Sequence, residues 1–365
     1  MSPQAVLEPV STTRMRGGAF GRLHLWGKLL WPALALAILL AVDGICIRGF
    51  FSVSIVQGRL TGTLVDIFRY GAPAMVLSVG MTFVLATGGV DLSVGAIMAL
   101  AGAIAAKAAM PVSLNGMGMS PGAGIAIALL VSVLAGMWNG MSVAWLGMQP
   151  IVATLVLMVA GRGIARLCIG AANVPLSGVI WTALHNPHLT LPTAPVIVLV
   201  VAIVAGLLTR ATSIGLFIEA LGGNPVASRY AGVRVGLITF MVYVFCGLCA
   251  GIAGMISSAD VMIANASSTG MYMELDAILA VVIGGTALTG GRFSLVGSLI
   301  GALLIQTLQT TLIYKVPIQQ TLVIKAIVVL AVCLLQSAEF RRKSIAVCAR
   351  IGLSRTRKAA AQVAS

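Results

Sequence analysis

Long apolar runs, each broken by Gly, Pro or charge, dominate this chain. They fall near 29–47, 68–87, 91–110, 122–146, 150–169, 194–209, 236–258, 275–290, 293–314 and 318–337. A straight helix crosses the hydrocarbon core of a bilayer in roughly 20 residues, so the ten runs predict an all-α polytopic membrane protein with about ten transmembrane helices. Some runs are shorter than that, which predicts one or two broken or re-entrant helices and leaves eight spans as the alternative. The expected organisation is a basic segment over 1–28, a membrane domain over 29–337 and a basic tail over 338–365.

Composition agrees that the solvent is lipid. Of 365 residues, 59% are hydrophobic and 9% charged, and the mean hydropathy is +1.07. A soluble domain of this size needs far more charge to cover its core. The 42 glycines suit close helix contact in lipid, where apolar burial alone does not draw helices together.

The net charge of +14 sits mostly at the ends. Arg14, Arg16, Arg22 and Lys28 precede the first run, and Arg341, Arg342, Lys343, Arg350, Arg355, Arg357 and Lys358 follow the last. No basic face interleaved with aromatics points to nucleic acid. The distribution follows the positive-inside rule, placing both termini in the cytoplasm and requiring an even number of spans. Segment 170–193, without Lys or Arg, then lies outside, and 210–235, with Arg210, Arg229 and Arg234, lies inside. The basic start imitates a signal peptide, but its apolar run is long and others follow, so it reads as a retained anchor.

Polar residues inside the runs are the candidates for chemistry. Asp91 is the one acid in GMTFVLATGGVDLSVGAIMALAG (80–102). It can cap a helix together with Ser93 after the Gly88-Gly89 break, or accept hydrogen bonds from a sugar in a wet cavity. Arg162 and Arg166 share one helix face; they either snorkel to headgroups or line a path and donate to sugar hydroxyls. Glu274 and Asp276 read as an interfacial anchor or helix start, with docking of a binding protein as the other role. Cys246 and Cys249 form C-x-x-C on one apolar helix, where small packing residues are the simpler reading than a metal or redox pair, and no disulfide is expected. His185 and His188 lack the further ligands of a zinc site, so no metal is expected.

The spacing Gly88-Gly89, four residues, Val94-Gly95 returns as Gly290-Gly291, four residues, Val296-Gly297. This weak internal repeat of Gly-rich helix breaks reads either as paired broken helices near a substrate path or as two tight hairpins. In the cytoplasmic loop, Asn224 can cap a short helix that Pro225 begins and Gly232 ends. So short a helix is not stable alone in water, which points to a partner protein. No G-x-x-x-x-G-K-[ST] motif and no nucleophilic or metal constellation occurs, so the chain reads as a transport subunit without an ATPase site, an enzyme reading or a cofactor.

Four segments carry a resemblance: GMTFVLATGGVDLSVG (80–95), QPIVATLVLMVAGRGIARL (149–167), EALGGNPVASRYAGV (219–233) and ELDAILAVVIGGTALTGGRFSLVGSLIGALLI (274–305). They resemble the sugar permeases of bacterial ATP-binding-cassette importers of the ribose, arabinose and galactofuranose type, over about 60 to 337. Residues 56–82 look most like the galactofuranose-type permease. The resemblance implies a permease of the bacterial inner membrane that carries a monosaccharide, working with a cytoplasmic ATPase subunit, a periplasmic sugar-binding protein and a second permease copy in a homodimer or heterodimer. It also implies that 219–233 seats on the ATPase through Glu219, Ala220, Gly222, Gly223, Asn224, Ala227 and Gly232. Leu221 departs from the family's usual Ala. The rival readings are an ion-coupled secondary transporter, suggested by the repeat and Asp91, and an integral-membrane enzyme, which would need clustered catalytic groups.

Overall fold

A computed structural model describes residues 20–56, 59–170, 173–185 and 192–315, together with 317, 320, 323–327 and 330. The basic tail, most of the basic N-terminal segment, most of the run near 318–337, His188, Cys333 and Cys348 lie outside the described residues. Along the chain come α1 (Phe20–Cys46), α2 (Thr63–Ala86), α3 (Val94–Ala109), α4 (Pro121–Ala144), α5 (Pro150–Ile169), α6 (Val179–His185), α7 (Thr193–Arg210), α8 (Ile214–Gly223), α9 (Pro225–Tyr230), α10 (Val235–Val261), α11 (Met273–Ile283) and α12 (Leu295–Lys315). Strand structure among the described residues is limited to short pairs. One is a hairpin of β1 (Ser54–Val56) and β2 (Arg59–Thr61); the other joins β3 (Val174–Pro175) to β4 (Ile263–Ala264).

The protein is all-α and polytopic. Seven of the described helices, α1, α2, α4, α5, α7, α10 and α12, are long and apolar enough to cross a membrane, and α3 and α8 are shorter apolar helices. The first nine apolar runs each fall on a helix. The run near 275–290 is helical only to Ile283, because the chain turns at Gly284 and Gly285, the latter at φ +92°. Pro121 and Pro150 open α4 and α5, where their missing amide hydrogens have no partner to lose. Ser120 caps α4 by accepting from the Ala123 amide at 3.3 Å.

α2 is the central post, with 83% of its span buried, against α7, α10, α11 and α12. α10 packs on α2, α3 and α4. The approach of α4 to α10 depends on small residues: a side chain on Gly136 would meet the Tyr243 carbonyl and the Gly247 Cα, and one on Gly251 would meet Ser132. Cys246 and Cys249 are buried against Gly80 of α2, a packing position. First and last described spans meet where Thr311 of α12 donates to Asp43 Oδ2 of α1 at 2.7 Å, with Asp43 fully buried.

Candidate functional site

α2 ends in a glycine turn: the Gly88 amide donates to the Leu85 carbonyl, the Gly89 amide to Val84, and Gly88 stands at φ +79°, which a residue without Cβ adopts at little cost. The chain then reaches Asp91. Its Oδ1 accepts from the Ser93 amide at 2.9 Å and from the Ser93 hydroxyl at 2.6 Å. Asn139 of α4 donates from Nδ2 to Asp91 Oδ1 at 3.3 Å and to Ser93 Oγ at 2.8 Å. All three side chains are fully buried. Asp91 Oδ2 and Asn139 Oδ1 have no nitrogen or oxygen partner, and the Cys246 thiol of α10 faces the carboxyl. Asp91 thus closes the turn before α3 and ties it to α4, rather than bonding to amides of α3 itself.

A second cluster touches the first turn of α3 from the other side. Arg162 of α5 donates from Nη1 to the carbonyls of Ser267 and Thr269, each at 3.2 Å, and from Nη2 to that of Gly270 at 3.1 Å. One planar guanidinium therefore holds the whole turn that leads into α11. Glu274 supplies the nearby opposite charge. A side chain on Gly95 would collide with both Glu274 Oε2 and the Gly270 carbonyl, so this glycine is what lets the turn reach α3. Arg166, one turn further along α5, is exposed. Asp276 points elsewhere: it takes Lys325 Nζ at 2.6 Å on Oδ1 and 2.7 Å on Oδ2, and Gln309 Nε2 at 3.1 Å. His185 is bound into a further cluster, with Arg69 Nη2 at 3.3 Å, while Arg69 Nε donates to Asp260 at 2.8 Å.

The two glycine breaks meet each other. The Gly291 amide donates to the Ala86 carbonyl at 2.8 Å, and Gly290 and Gly291 stand at φ +87° and +99°. Gly222, at the end of α8, lies against the same two groups, since a side chain there would collide with the Ala86 carbonyl and the Gly291 amide. Gly223 has open space around it. Asn224 caps α9 by accepting from the Ala227 amide at 2.9 Å, and Gly232 at φ +84° follows the helix. Glu219 is half-buried, whereas Ala220, Asn224 and Ala227 are exposed.

The structure joins Asp91 to Ser93, and the loop glycine Gly222 to both breaks. Arg162 belongs to a separate cluster with the 267–270 turn and Glu274, and Arg166 is exposed one turn away. Asn139 and Lys325 escaped the sequence reading, each being a polar residue in an apolar run whose partner lies 48 or 49 positions away. The only available signal was that a polar group at membrane depth needs a partner.

A family model described as a branched-chain amino acid transport system permease component matches residues 63–335. The galactofuranose transporter permease protein YtfT of Escherichia coli is 46% identical over 321 residues, covering 86% of this chain and 92% of the relative. The fructose import permease protein FruF of Bifidobacterium longum is 38% identical over 340 residues, covering 91% and 94%. The ribose import permease protein RbsC of Escherichia coli is 34% identical over 313 residues, covering 83% and 92%. No solved structure matches the chain. With the helices, breaks and loop in place and the match running through all of them, the chain belongs to the family of import-system membrane permeases.

Proposed function

We propose that this permease carries a monosaccharide, a pentose or hexose with galactofuranose as the first candidate, across the bacterial inner membrane as part of an ATP-binding-cassette importer. A cytoplasmic ATPase seats on α8 and α9, a periplasmic sugar-binding protein delivers the substrate, and a second permease copy completes the path. Both termini and 210–235 face the cytoplasm. The observation that carries the coupling is the contact of Gly222 with both helix breaks, which gives a push on α8 a direct route to the end of α2 and to the segment joining α11 to α12. The names of the three relatives support the sugar.

In this reading Asp91 and Ser93 position the break before α3. Arg162 and Arg166 present guanidinium donors on α5, where a sugar's hydroxyls can accept. ATP hydrolysis belongs to the partner. The test is uptake into proteoliposomes holding the permease, its ATPase and its binding protein, with labelled galactose in furanose form, fructose and ribose as separate substrates. Uptake that requires internal or external ATP at the ATPase face and survives ionophores is expected. Uptake that follows an ion gradient without ATP would instead make the chain a secondary transporter.

A further inference from the structure

A cavity of about 190 Å³ lies between α7, α8 and α10, with Phe83 of α2 also in its wall. Leu208 and Thr209 of α7, Ile214 and Ile218 of α8, and Met241 and Phe245 of α10 supply most of its wall. Leu208 and Met241 at its edge are 39% and 48% exposed, so the opening is flanked by apolar side chains on the outside of the bundle.

Water cannot fill this space well. At about 30 Å³ for each molecule there is room for several, and each would seek two or more polar partners. The wall offers one hydroxyl, on Thr209, and that hydroxyl already donates to the Ala205 carbonyl at 2.9 Å and lies 3.1 Å from the Gly206 carbonyl. An apolar occupant is called for.

Charge identifies which one. The two spans that line the cavity both end in arginine on the same side: Arg210 closes α7 one residue after Thr209, and Arg234 precedes α10 one turn before Ile238. Both guanidiniums are exposed. Glu219 of α8 is the one acid on the same helices in this region, and it is half-buried. Two exposed cations, one a residue beyond the lining Thr209 and the other a turn before the lining Ile238, match a lipid with a negative headgroup and an acyl chain, at the leaflet that the positive-inside pattern assigns to the cytoplasm.

We infer that the cavity holds part of an acyl chain of an anionic phospholipid from the cytoplasmic leaflet, with Arg210 and Arg234 on its headgroup. Because Ile214 and Ile218 form one wall, the chain seats α8 against the bundle. The consequence for coupling rests on the reading of α8 as the ATPase contact and the choice of leaflet on the proposed orientation; the binding itself rests on neither.

Binding is measured without any ATPase, on the full chain in nanodiscs of phosphatidylcholine with one fifth phosphatidylglycerol. Native mass spectrometry counts the lipid retained after release. The wild-type chain is expected to keep phosphatidylglycerol several-fold above its share in the disc. Arg210→Gln with Arg234→Gln, both at exposed positions, should bring retention down to that share. Ile218→Trp, which fills the space, should release both lipids. Equal retention of the two lipids by wild type and by the arginine variant overturns the proposal. So does a cavity masked from lipid because a second copy of the chain covers it, seen as a retained dimer with no lipid. A coupling assay on the arginine variant, run after binding is known, separates the two ideas: lost lipid with normal ATP-driven uptake would remove the link to α8 and leave the lipid site standing.

Discussion

The Gly291 amide donates to the Ala86 carbonyl at 2.8 Å, which fastens the break after α11 to the last residue of α2. Gly222 rests on both groups from the side of α8. A helix end 136 positions away and a loop glycine 69 positions away, counted from Ala86 and Gly291 to Gly222, are therefore in one small volume.

A methyl group at Gly222 has nowhere to go, while one at Gly223 has open space. Overpacking of this kind costs about 1–3 kcal/mol, equivalent to a roughly 5- to 150-fold shift in a two-state balance. Gly222→Ala should lower sugar-stimulated ATPase activity and uptake by that order with the chain still in the membrane. Gly223→Ala should leave the bundle intact; with retention of the ATPase measured beside activity, equal loss in both variants at full retention would remove the junction from the coupling route.

Asp91 accepts three hydrogen bonds through one oxygen. Such bonds contribute about 0.5–1.5 kcal/mol each in net terms. Asp91→Asn keeps an acceptor and should lose less than Asp91→Ala, which leaves the Ser93 amide and the Asn139 amide without it. Thermal unfolding of the detergent-solubilised chain, read beside uptake, checks the order: parental melting and transport in both variants would end the positioning role.

Lys325 and Asp276 are each about nine-tenths buried and bonded to each other. Removing one partner of such a pair costs about 3–5 kcal/mol, because the other charge stays buried. Asp276→Asn or Lys325→Met alone should sharply reduce the amount of chain accumulating in membranes. The double variant Asp276→Asn, Lys325→Met should recover most of it, and additive losses would show that the pair does not act as one.

Orientation is tested with single cysteines in a cysteine-free chain. Val179, 77% exposed on α6, and Tyr230, 89% exposed on α9, are the sites of choice. Val179→Cys should react with an impermeant maleimide on intact spheroplasts, and Tyr230→Cys only after lysis. The opposite pattern inverts the topology.

Much of this fold is readable because lipid imposes length and apolarity on every span, and those survive in a single sequence. α11 was misjudged in extent since Ile283 runs into apolar residues beyond Gly284, and hydropathy does not register a turn. α8 hid in a loop: its ten residues, IGLFIEALGG, are apolar but too short to read as a span. The hairpin at Ser54 and Thr61 is three residues a side, below what alternation can reveal. At the site, Asp91 and Ser93 stood out as polar residues at a break. Their tie to Asn139 did not, because only the crossing of α4 over the start of α3 creates it.

Asp43 has a history as well as a position. Its partner Thr311 lies 268 residues downstream. At about 5–20 residues per second a ribosome needs roughly 15–50 s to make that stretch. For all of that interval Asp43 exists without the hydroxyl it accepts from in the finished fold, so the first described span waits on the last. A nascent chain halted before α12 would lack the Thr311 donor and leave Asp43 Oδ2, like Oδ1 in the finished fold, without a hydrogen-bond partner from α12.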